Sequence, residues 1–151
     1  DAEYIHKLDN KKEYVENLSY LRTSIGKSEK EKFIIKLEAN IVYEWANVGW
    51  STMWFFYRNS TKLANTQSSA GSRQIGITPA LSSLTSDNNS TLEMGIVNYF
   101  DAPQTTSAID YKLGVASNGT ANIFINRTIT DSDSSGYDRG VSFISATEIG
   151  G

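Results

Sequence analysis

Tyr43, Trp45, Trp50, Trp54, Phe55, Phe56 and Tyr57 fall within fifteen consecutive residues. So dense a set of aromatic rings supports one of two chemistries. Exposed Trp rings stack on the apolar faces of sugars, which would make a carbohydrate-binding module. Withdrawn from water, the same rings fill a core or a subunit interface. From Met53 to Tyr57 no position is strongly polar, so a strand built from them has no solvent face and must lie between a core and a partner. That favours Trp50, Trp54, Phe55, Phe56 and Tyr57 as core and interface residues over sugar stacking.

A second constellation is oxygen-rich. Asp131, Asp133 and Ser135 alternate, Gly136 stands sixth and Asp138 eighth, a spacing similar to a calcium loop. The twelfth position is Ser142 where such a loop needs Glu, and no helical pattern flanks it. A polar turn with Arg127 or Arg139 balancing the charge is the stronger reading. No metal or other cofactor is expected.

Catalysis is poorly supplied. Cysteine is absent and His6 is the single histidine, which removes thiolate chemistry, disulfides and most nucleophile–base pairs. Glu38 and Glu44 read as charges on the surface of a strand rather than an acid/base pair. There is no Gly-rich phosphate loop. The sequons at Asn17, Asn59, Asn89, Asn118 and Asn126 read as chance occurrences in an Asn- and Thr-rich chain. The expectation is a protein that is not an enzyme.

The elements that position these residues follow a period of two. The chain has 151 residues, 39% hydrophobic and 21% charged, one domain's worth with an ordinary globular balance. Its net charge of −3 argues against a general grip on nucleic acid. No apolar run approaches the ~18 residues of a membrane helix, so no membrane insertion is expected. Residues 1–32 hold seven basic and seven acidic groups. Residues 1–12 read as a charged arm or linker without the pattern of a signal peptide, with Asp1, Glu3, Lys7, Lys11 and Lys12 as its contact residues. The domain proper is 13–151. Because the chain starts at Asp1, processing, trimming or excision from a longer polypeptide is expected.

Within the domain, a weak edge strand is expected over 13–25. Phe33, Ile35, Leu37, Ala39, Ile41, Tyr43 and Trp45 alternate with mostly polar residues in a long strand. Further strands are predicted over 50–57, 69–77, 90–100, 108–116, 121–127 and 141–149, with turn residues between them. Asn118-Gly119 is a hairpin signal. The segments Asn59–Ser72 and Pro79–Asn89 read as long polar loops. The last segment mixes small and apolar residues on both faces, as a central strand would. Short strands in this number predict an all-β antiparallel sandwich or barrel.

Several blocks carry a resemblance. They are Asp101-Ala-Pro-Gln-Thr-Thr-Ser-Ala-Ile-Asp-Tyr111-Lys112, then Asn126-Arg127-Thr128. Asp133-Ser134-Ser135, Arg139-Gly140, Ser142, Ile144 and Glu148-Ile149 follow near the C-terminus. Upstream, Lys36-Leu-Glu-Ala-Asn-Ile-Val42 and Phe56-Tyr57-Arg58 belong with them. Together they resemble C-terminal domains of bacteriophage virion structural proteins, common in phages of marine bacteria and in cyanophages. The resemblance implies a two-sheet jelly roll of the complement and tumour-necrosis-factor type, usually homotrimeric, on tail fibres, spikes or capsid appendages. In that family the terminal block reads Ser-Thr-Ile-Thr-x-Met-Glu, whereas here it is Ser142-Phe143-Ile144-Ser145-Ala146-Thr147-Glu148.

The leading expectation is therefore a non-enzymatic structural protein of the virion. It would be held to other virion proteins through its arm, and would present loops to a host glycan or receptor or decorate the particle. The alternatives are a free lectin-like module and a small glycoside-processing domain. Accessible Trp rings would favour the former, and two close carboxylates in a cleft the latter.

Overall fold

In the computed structural model the described residues are 4–8, 22–25, 33–45, 52–64, 71–80, 89–117 and 121–150. Among them there is no helix. Ten strands form two antiparallel sheets whose inner faces share one apolar core, a β-sandwich.

The first sheet is organised by β3 (Phe33–Trp45). Its odd-numbered side chains, from Phe33 to Trp45, are all buried in the core, as the alternation predicts. One edge of β3 pairs with β7 (Glu93–Asp101). The other edge is shared end to end. β10 (Phe143–Gly150) covers residues 33–40, and β9 (Ala121–Ile125) covers 43–45. β1 (Tyr4–Leu8) pairs with the far edge of β9. Lys7 thus sits in β1 within the stretch read as an arm, while Asp1, Glu3, Lys11 and Lys12 lie outside the described residues.

The second sheet contains β2 (Arg22–Ile25), β4 (Met53–Arg58), β5 (Thr61–Leu63), β6 (Thr78–Pro79) and β8 (Ile109–Ala116). Its order is β2-β8-β4-β5, with β6 also on β4. Trp54, Phe56, Leu113 and Val115 face β3 across the core.

Four expectations are corrected. No strand spans 71–77; only Thr78–Pro79 pairs. β5 already occupies Phe56–Arg58 on that edge of β4, which leaves Met53 and Trp54 for β6. Asn59–Ser72 is not one long loop, because Asn59, at φ 53°, and Ser60 turn the chain directly into β5. Asn118-Gly119 lies outside the described residues, but β8 and β9 on either side of it belong to different sheets. The connection is thus a crossover, not a hairpin. Finally, β10 is not a central strand: among the described strands it pairs with β3 alone, and its small residues sit at a sheet margin.

The joint where β9 ends and β10 begins is closed by local polar bonds. Asn126 N–H donates to the Val42 carbonyl, and Gly140 N–H to the Asn126 carbonyl. The Ser142 hydroxyl accepts from Val42 N–H at 2.9 Å and donates to Asn126 Oδ1 at 2.6 Å. A Cβ on Gly140 would lie 2.5 Å from Val42 Cγ1 and 3.0 Å from its Cβ. Gly140→Val is therefore expected to separate the joint from β3, lowering stability by about 1–3 kcal/mol. A denaturant midpoint unchanged from the parent would refute this.

Candidate functional site

The aromatic cluster divides between two environments. Trp54 and Phe56 point into the main core, with the Trp54 and Tyr43 rings 5.3 Å apart at 61°. Phe55 and Tyr57 point to the opposite side of the second sheet, yet they too are buried. They pack edge to face at 5.3 Å, against Ala116, Ala64 and Ile77. The Lys62 ammonium caps the Phe55 ring at 4.0 Å, and Gly114 leaves the space that ring fills. The run without a polar face therefore has its second covering inside its own chain. The argument that Met53–Tyr57 requires a neighbouring subunit loses its basis. Trp45 and Trp54 are too buried to stack on a sugar, and Trp50 lies outside the described residues.

The carboxylates are equally committed. Glu38 pairs with Lys36 on the surface at 2.9 Å. Glu44 is buried and accepts from Ile129 N–H, holding down the segment after β9. Six residues of extended strand separate the two glutamates by about 20 Å, far beyond the ~5–9.5 Å of a glycosidase pair. Asp101, at the end of β7, accepts from Arg58 Nη1 at 3.0 and 3.2 Å and from the Tyr111 hydroxyl at 2.8 Å. Burial, then the bond to Asp101, pushes the Tyr111 hydroxyl well above the usual phenol range.

The loop compared with a calcium site is organised around arginine. Asp131 accepts from Arg139 Nε at 3.1 Å, from Arg139 Nη2, and from Arg127 Nη1 at 3.2 Å. Arg139 above all, with Arg127, holds its carboxyl below the usual carboxylate range. Its oxygens are turned toward guanidinium groups, and Asp133, Ser135 and Asp138 are exposed around it. Among the described residues no group of three or more His, Cys, Asp or Glu converges as metal ligands would. A shallow cleft of about 310 Å³ remains, lined by Asp131, Ser132, Asp133, Ser134, Tyr137 and Arg139.

The feature that sequence reasoning missed is the outer face of the first sheet. Ile34, Met94, Ile96, Phe100, Phe143 and Ile149 are all exposed there, and Val141, exposed too, lies two residues before β10 begins. These seven are the exposed large hydrophobic residues of the described chain. Register aligns them in rows across three strands. Phe143, Asn40 and Ile96 form one row and Thr147, Lys36 and Phe100 another, with Ser145, Glu38 and Asn98 between. The side-chain oxygen of Asn40 is buried in its row without a hydrogen-bond partner. Each strand alone reads as alternating, with a few apolar residues on the wrong face. Only pairing strands about 50 to 117 residues apart in sequence makes them one surface. No protein-family model matches this chain, and no curated protein is similar to it in sequence.

Proposed function

We propose that this chain is a non-catalytic structural module that works by assembly: a homotrimeric jelly roll on the surface of a phage virion, as a tail-fibre or spike tip or a capsid decoration. The observation that carries the assembly part is the apolar outer face of the first sheet, which a chain working alone has no use for. The virion setting follows from the resemblance in residues 101–149. The polar groups fit a scaffold. Asp101, Glu44 and Asp131 each bind the chain's own strands and loops, which stiffens a frame from which loops project.

The test is a protein inventory of purified virions, together with adsorption by phage carrying changes in 79–89 or at Tyr137. The chain is expected in the particle. Lost adsorption with intact assembly would assign it to receptor binding, and unchanged adsorption to decoration. Its absence from particles overturns the reading. A free lectin-like module is the second reading, favoured by the polar cleft beside Tyr137; glycan binding by the isolated chain, without any virion association, would select it.

A further inference from the structure

We infer that the outer face of the first sheet is the surface on which copies of this chain meet, an inference that deepens the assembly reading above and rests on it. Size is the first argument. The seven side chains are between 42% and 82% exposed. For residues of their size this amounts to roughly 800 Å² over the whole face, about 400 Å² from each copy for each of the two contacts of a trimer, so the neutral polar rows between them must add to the contact. The whole face exceeds the roughly 300–600 Å² of the largest apolar patch on a typical monomer.

Charge selects the occupant. Over the rows shared by β7, β3 and β10 the described residues carry one cation and one anion, Lys36 and Glu38, already bonded to each other. Its other polar residues, Asn40, Asn98, Ser145 and Thr147, are neutral. A strongly acidic or basic partner finds nothing there to answer its charge. A second copy brings the same neutral, apolar surface, although the whole chain is at −3. Shape agrees. Met94, Ile96 and Phe100 form one flank along β7, and Phe143 and Ile149 another along β10, with β3 between. In closed three-fold symmetry each copy has two neighbours, and two flanks give one contact to each.

The experiment compares the full chain with Ile96→Glu and Phe143→Glu, one on each flank. Both sites are solvent-exposed in the single chain, so circular dichroism and the thermal midpoint of the dilute protein are expected to be preserved. Light scattering is expected to give a particle of about 50 kDa for the parent and 16.7 kDa for each variant. The expected rise in dissociation constant is about 100-fold or more. A second readout needs no substitution. Met94 is 60% exposed in the single chain, and peroxide should oxidise it slowly in the parent and rapidly in both variants. A trimeric parent whose variants remain trimeric, with Met94 reactive throughout, overturns this inference and leaves the assembly reading standing. A parent that stays at 16.7 kDa overturns both. Binding of a monomeric parent to phosphatidylcholine vesicles, lost in Ile96→Glu, would give the face to a membrane and likewise overturn the inference.

Discussion

Asp101→Ala is expected to lower stability by about 3 kcal/mol, because it leaves one buried hydroxyl and one half-buried guanidinium without their shared acceptor. Asp101 closes β7 in the first sheet, whereas Arg58 and Tyr111 are cross-strand partners in the second. The carboxylate therefore ties the two layers together at one end of the sandwich. For a chain of this length the thermal midpoint should fall by roughly 6–12 °C. Asp133→Ala, on an exposed turn, should change it by less than about 1–2 °C. Tyr111 gives the contact a pH signature. Its folded pKa is raised, so its contribution is complete below the unfolded value of about 10 and declines as pH rises beyond it. Tyr111→Phe should weaken that alkaline decline. Equal midpoints for Asp101→Ala and Asp133→Ala would show that the tie contributes nothing.

Trp54→Ala should be still more damaging, about 4 kcal/mol, since the indole is fully buried and in contact with Tyr43. Trp54→Asp should abolish folding, because it places an uncompensated carboxylate among apolar groups. Phe55→Ala tests a different point. Its ring is covered by Lys62 and by the small cluster with Tyr57 and Ala116, so its loss should be the same at every protein concentration. A side chain at a subunit contact would instead give a loss that depends on concentration. Urea titrations of both variants at widely separated concentrations make the comparison. A concentration-dependent loss for Phe55→Ala would return the interface to β4.

Much of the sandwich was legible because β3 alternates in burial as far as Tyr43, and Glu93 to Ala116 marks two strands with a turn between them. The site was less so. Phe55 and Tyr57 were recognisable as buried, but their covering comes from Ala64, Ile77 and Lys62, residues with no pattern that announces it. Asp131 has the spacing of a cation ligand. What decides its role is Arg139 curling back eight residues later, and sequence spacing does not encode that contact. Ile96 and Phe143 stand on two strands far apart in sequence, and neither was singled out as a surface residue. They become neighbours across Asn40 only through register, which a single sequence leaves open.

The shared edge of β3 also sets the order of events during synthesis. β3 leaves the ribosome well before these partners, for β7 begins at Glu93 and β10 at Phe143. At roughly 5–20 residues per second, about fifty residues of translation separate β3 from β7 and about a hundred from β10, so the edge over Phe33–Asn40 waits unpaired for roughly 5–20 s. Closure of the sheet thus waits for a strand about a hundred residues downstream and requires contacts of high sequence separation, the slow kind. A chain truncated before Phe143 keeps one edge of β3 open over Phe33–Asn40, so aggregation of nascent or shortened chains should begin at that edge.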